Sequence, residues 1–155
     1  MKTTLCFAIA LLTSVAFAAP PVQEPVTVAL GPKAYRDGDV IEILEVTSTS
    51  KNLEQGDTIT VRGNVRLDSR NAAALCLFLT QTEGNGQEET DPGQVKNVST
   101  GQTPFELKTM IKHKGALHVT LYDQKSGKPF GGVYFGTPEQ MNRISDWKVD
   151  YYLAD

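Results

Sequence analysis

The chain has 155 residues, 40% of them hydrophobic, 21% charged and 8% aromatic, with a formal net charge of −3. That balance excludes a disordered chain and a multi-span membrane bundle, and the mild acidity excludes the basic face of a nucleic-acid binder. The length suits one domain with a sizeable core.

Residues 1–18 read as an export signal. Lys2 is the only charge before Glu24, an apolar run follows from Leu5 to Leu12, and Ala16-Phe17-Ala18 has the small-residue pattern of a cleavage site. The run is shorter than the roughly twenty apolar residues of a spanning helix, and Pro20-Pro21 come soon after it. Cleavage after Ala18 is expected, with a secreted or periplasmic mature chain and no membrane insertion. Cys6 leaves with the leader and Cys76 stands alone, so the fold is expected to rest on its core rather than on a disulfide. Cys76 lies in Ala74-Leu75-Cys76-Leu77-Phe78-Leu79 and reads as buried core filler.

Residues 19–38 read as a proline-rich tether with an edge strand from Val26 to Leu30, closed by Gly31-Pro32. After the turn Asp37-Gly38-Asp39, Val40 to Val46 forms a strand. Its apolar parity shifts at Ile43-Leu44, which predicts a bulge or a strand passing between sheets. Thr58 to Leu67 is the clearest strand: Ile59, Val61, Gly63, Val65 and Leu67 share one parity and Thr58, Thr60, Arg62, Asn64 and Arg66 the other. Such alternation puts one face on a core and the other in water. Ala73 to Thr80 is apolar on both parities and predicts a second, central strand covered on both faces. Glu83 to Gly93 reads as an exposed loop.

Phe105, Leu107 and Ile111 then alternate with Glu106, Lys108 and Met110. Leu117, Val119 and Leu121 alternate with His118, Thr120 and Tyr122, which places the latter set outward. Lys125 to Lys128 reads as a hairpin turn, with Phe130 to Phe135 as the returning strand. One helix start is visible: Thr137-Pro138-Glu139-Gln140 has Thr at the N-cap, Pro at the first position and Gln at the third. The helix is expected to run about two turns with Met141 and Ile144 inward. Trp147, Val149, Tyr151 and Leu153 alternate, so a final strand is expected.

Short strands at regular spacing, without β-α-β alternation, predict an all-β antiparallel sandwich. The segment Gly56-Asp57-Thr58-Ile59-Thr60-Val61-Arg62-Gly63-Asn64-Val65-Arg66-Leu67 resembles the second strand of bacterial immunoglobulin-like and fibronectin type III-like modules, and the strand order is compatible over residues 39–136. The Cys…Trp…Cys framework of antibody domains is missing. The resemblance implies an immunoglobulin-like β-sandwich with a short C-terminal helix, an extracytoplasmic scaffold used for adhesion, binding or assembly. It carries over no active site. The expected organisation is a leader at 1–18, a tether and edge strand at 19–38, the sandwich at 39–136, and a helix and strand at 137–155 packed upon it.

Catalytic chemistry finds no foothold: there is no G-x-S-x-G elbow, no catalytic residue is assigned, and a non-enzyme is expected. His113 and His118 are the two histidines and both read as surface residues. With Cys76, Met110 and Met141 they make up the nominal inventory of a blue-copper site. Cys76, however, precedes both histidines and sits in an apolar strand, the wrong order for one, so neither metal nor cofactor is expected. Glu88, Glu89 and Asp91 lack the ordered acidic run of a calcium loop. Gly131-Gly132 reads as a bulge or close backbone contact rather than a phosphate loop, and Asn97-Val98-Ser99 fits the N-glycosylation acceptor pattern.

Tyr122, Tyr134, Trp147, Tyr151 and Tyr152 all fall late in the chain. Exposed together, they would stack on sugar rings or meet a protein partner; the other reading is that they cover the open end of the sandwich. The leading expectation is a non-catalytic binding or interaction module with a protein or glycan partner. The alternatives are a carbohydrate-binding protein using these aromatics and a periplasmic copper carrier.

Overall fold

A computed structural model describes residues 16–155; the leader expected over 1–18 falls almost wholly outside that range. The described chain is all-β and antiparallel, with strands β1 (Glu24–Pro25), β2 (Ala29–Ala34), β3 (Val40–Ser48), β4 (Thr58–Gln81), β5 (Val95–Met110), β6 (Gly115–Tyr122) and β7 (Pro129–Gly136), and a short helix α1 (Pro138–Arg143). None of its helices is long and apolar enough to cross a membrane.

The strands form one sheet in the order β1-β3-β4-β6-β7-β2, with β5 on β4. β4 organises it. Its first part, Ile59 to Arg66, pairs with β3, and its last part, Ala74 to Gln81, pairs with β6. β5 accompanies both parts, so β3 and β6 follow one another along the opposite edge. Two strands were expected here, Thr58–Leu67 and Ala73–Thr80; the structure joins them into one strand of 24 residues. The polar stretch Asp68-Ser69-Arg70-Asn71 is a bend within the strand, marked by a register shift between Leu67 and Ala72. Buried Asp39 fixes it, accepting hydrogen bonds from the amides of Asp68 (2.8 Å) and Ser69 (2.9 Å) and from the Ser69 hydroxyl. Opposite the bend, Gly101 takes φ +103, a conformation open to glycine at little cost. There the inward parity of β5 changes from that of Phe105 and Leu107 to that of Val98.

The bend curls the sheet into two halves that face one another. The first half is β3 with the adjoining parts of β4 and β5. The second is the remaining part of β4 with β6, β7 and β2. Ile59, Val61, Val65, Leu67, Phe105 and Leu107 meet Leu75, Leu77, Leu117, Val119, Val133 and Phe135 in a single core. The parity shift expected at Ile43-Leu44 is a bulge: register slips between Ile43 and Glu45, leaving Leu44 62% exposed. Gly63 lies against it, where a Cβ would stand 1.9 Å from the Glu42 carbonyl oxygen.

The N-terminal segment closes the curl. β1 pairs with β3 and β2 with β7, and only Val26 to Val28 separate them. The edge strand expected at Val26–Leu30 therefore lies slightly later, at Ala29–Ala34, and runs through Gly31-Pro32 by a register shift instead of stopping there. Pro25, Pro32 and Pro104 sit on β1, β2 and β5, strands that each pair on one side only; a proline there blunts an open edge.

The C-terminal region packs on the second half. Thr137 caps α1 as its pattern predicts: its hydroxyl accepts from the Gln140 amide at 3.2 Å, and Gln140 Oε1 accepts from the Thr137 amide at 2.9 Å. Met141 and Ile144 are buried with Tyr134 and Ala116 in a second, smaller cluster, against which Trp147 and Val149 pack. The final strand expected after Trp147 is instead a 3-10 turn, Asp150–Leu153. That turn sends the neighbouring rings of Tyr151 and Tyr152 to different environments, which strand geometry would also do, but it brings Tyr152 down onto the sheet.

Candidate functional site

Two regions gather side chains with chemical potential. The first is the outer face of the second half, beneath the C-terminal segment. All five late aromatics converge here or at its border, and only Tyr151, 46% exposed, is open to solvent. Tyr134 and Tyr152 are buried, and Tyr122 and Trp147 are half-buried. Trp147 meets Tyr134 edge-on with ring centroids 5.6 Å apart, and Tyr122 meets Phe78 in the same manner at 5.6 Å. The rings also share hydrogen bonds: Tyr134 with Thr80 at 2.9 Å and with Tyr151 at 3.0 Å, and Tyr152 with Thr120 at 2.9 Å. Gly132 makes this possible, because a Cβ there would lie 2.8 Å from the Tyr152 ring and hydroxyl. The close contact expected of Gly131-Gly132 is thus a notch for a tyrosine.

His118 is not the surface residue its alternation predicts. It is 6% exposed, tilted against Tyr134 at 5.0 Å, and shares a 2.7 Å hydrogen bond through Nδ1 with Thr120. The outward parity is right; what alternation does not reveal is that the C-terminal segment covers that face. Burial lowers the His118 pKa to about 4, so the ring is neutral near pH 7. Cys76, paired across the sheet with Thr120, is buried, and its thiol is pushed up to about 12. Burial raises Tyr151 and Tyr152 to about 12, and Tyr122 and Tyr134 further still.

The copper inventory is dispersed. Met110 pairs with Thr58 at the other end of β4 from Cys76, and Met141 belongs to α1. His113 is half-buried between lysines on the β5–β6 turn. Among the described residues no group of three His, Cys, Asp or Glu side chains is arranged to hold an ion. Asn97 of the acceptor pattern is exposed, its side-chain oxygen accepting from Gln124 at 3.1 Å.

The second region is a cleft of about 740 Å³ at the end of the curl. Leu53, Ile111, Leu117, Phe135, Met141 and Ile144 form its apolar wall, and Glu54, Glu83, His113, Lys114 and Arg143 its polar rim. Lys114 is paired with Glu83 at 3.2 Å; Arg143 has no ion pair among the described residues. Leu53 is buried at φ +53, the only non-glycine residue with positive φ among those described. Its carbonyl and that of Asn52 accept from Gln140 Nε2 at 3.2 and 2.9 Å, so the capping glutamine of α1 also pins the β3–β4 turn that walls the cleft. No motif in the sequence points to this region. Its one local signal is Leu53 itself, a lone leucine in the polar turn Lys51-Asn52-Leu53-Glu54-Gln55.

No protein-family model matches the chain, and neither a curated protein nor a solved structure is significantly similar to it. What defines the molecule is therefore its own architecture: an antiparallel, curled β-sheet with a short C-terminal helix, a covered outer face and an open cleft beside that helix.

Proposed function

We propose that the protein is an exported, non-catalytic binding module built on an immunoglobulin-like sandwich, and that it takes its ligand in the cleft beside α1. The observation that carries this reading is the composition of the cleft. A cleft of about 740 Å³ with an apolar floor and charged groups at its mouth has the size and mixed lining of a small-molecule site. The strained Leu53 backbone at its wall adds to it, since such conformations gather at ligand clamps. The ligand class is a small amphiphile, with its apolar end beside Met141 and Ile144 at the mouth of the wall and its polar end at the rim.

Export is supported by the leader pattern of residues 1–18. The aromatics give the glycan alternative less, because Tyr134 and Tyr152 are committed to internal contacts. A fragment library of small amphiphiles, followed by amide NMR shifts, tests the assignment. The expected result is a cluster of shifts at Leu53, Lys114, Gly115 and Arg143 that Ala116→Phe weakens. Binders whose shifts fall instead on Tyr151 and Trp147 would move the site to the aromatic region, and an absence of any binder at the cleft would overturn the proposal.

A further inference from the structure

The face beneath residues 146–155 carries hydrogen-bonding and titratable groups where the inner face carries aliphatic ones. His118 lies at its centre. The titratable groups gathered on this face are Cys76 from β4, Tyr122 from its own strand, Tyr134 from β7, and Tyr151 and Tyr152 from the terminal turn. All are neutral near pH 7. Burial alone displaces the imidazole, with no carboxylate or cation acting on it, so nothing on that face compensates an imidazolium.

The cover buries Tyr152 and packs Trp147 and Val149 against the sheet, but its polar fastenings are few. Tyr151 and Tyr152 each share one hydrogen bond with the sheet side, to Tyr134 and Thr120. At the end of the chain, Arg36 donates to the Ala154 carbonyl at 3.2 Å and to Asp155 at 3.3 Å, and the Asp155 side chain is 99% exposed. The buried Nε of the same arginine has no partner. Because His118 points away from the aliphatic core, water can reach it by displacement of the cover alone.

We infer that residues 146–155 form an acid-opened latch, in which protonation of His118 lifts the terminal turn from the sheet and hydrates the imidazolium while the core on the other face stays closed. This inference is independent of the cleft assignment. A ring that titrates near 4 when covered and near 6.5 in water gives the opened form a protonation advantage of about 300-fold. The sign follows: the latch is held above pH 6.5, weakens as pH falls from there to about 4, and loses nothing further below that.

Trp147, the only tryptophan, sits on the cover and provides the readout. The experiment follows its emission and the far-UV circular dichroism of the mature chain between pH 7 and 3.5. The expected result is a red shift of Trp147 with the sheet signal unchanged, with a midpoint that tracks the His118 ring resonance, told apart from that of His113 in a His113→Gln background. His118→Gln should abolish the red shift, and removal of residues 154 and 155 should move its midpoint to higher pH. A red shift that coincides with loss of the sheet signal would overturn the latch, as would one that persists in His118→Gln. If that variant does not fold, a Trp147 midpoint separate from the His118 titration overturns it equally.

Discussion

The inner and outer faces of β6 and β7 are both buried, by different means. On the inner face Leu117, Val119, Leu121, Val133 and Phe135 are at most 3% exposed and meet other apolar side chains. On the outer face His118, Thr120 and Tyr134 are nearly as inaccessible, yet they carry polar atoms that must find partners. The first face needs shape and volume; the second needs shape, volume and a closed set of hydrogen bonds. A face that alternates as polar can thus be interior, provided the cover brings hydroxyl groups to it, as Tyr151 and Tyr152 do.

The comparison predicts a graded series of effects. The largest is deletion of residues 137–155, which strips the outer face of Met141, Ile144, Trp147 and Tyr152. It should abolish cooperative melting or lower Tm steeply, and a truncated chain with unchanged Tm would break the claim that the outer face is interior. Next is Phe135→Ala, expected to cost about 3–5 kcal/mol in denaturant unfolding, the range for a fully buried phenylalanine. Thr120→Val should follow at about 1–3 kcal/mol, since it keeps the volume but leaves the His118 ring and the Tyr152 hydroxyl without their shared partner. An effect as small as that of an exposed threonine would show that the outer face is hydrated.

Cys76 sharpens the comparison by rate. Its thiol is buried and held at high pKa, so native-state labelling at pH 7 should be slow compared with unfolded protein, and it should accelerate on deletion of the cover but not on Arg62→Ala. The smallest effect belongs to Arg62 itself. It bridges Glu45 and Glu106 at 2.7 Å each on the open face of the first half, and its removal should barely change Tm because exposed pairs are screened. In the β6–β7 turn, backbone and hydroxyl bonds from Ser126, then the Lys125 amide and Arg70, hold the Asp123 carboxyl down at about 2. Its folded value lies below the unfolded one, so its contribution is present above the ordinary carboxylate range and lost as pH falls through 2. Asp123→Asn should flatten that part of the acid stability profile.

Much of the first half, and the start of α1, was legible. The Thr58–Leu67 alternation, the slip at Ile43-Leu44 and the capping box of Thr137 each depend on neighbours in sequence, and each appears where the residues put it. The continuity of β4 was not legible, because Ser69, Arg70 and Asn71 look like a loop until Asp39, far earlier in the chain, supplies the acceptors that keep them in the strand. The burial of His118 was hidden for a related reason: periodicity reports which residues share a face, and the cover of that face is set by residues more than twenty positions away. The 3-10 turn at Asp150–Leu153 defeated a period-two pattern because the terminal segment packs on a sheet face, bonded through Tyr151 and Tyr152 to Tyr134 and Thr120, instead of along a strand edge. The cleft was the least visible of all, since its lining comes from the β3–β4 turn, the residues just after β4 and β5, the start of β6, the end of β7 and the last turn of α1.

The closure of the sheet by its own first strands fixes an order of events. Ala29 and Leu30 find their partners in Gly136 and Phe135, so β2 has nothing to pair with until the chain has been delivered almost to α1. During synthesis β1 can pair with β3 early, while β2 waits for β7, the last strand to emerge. Contacts of such long sequence separation carry a high loop-closure cost and belong to slow folders. The sheet therefore stays incomplete until nearly all of the chain has arrived.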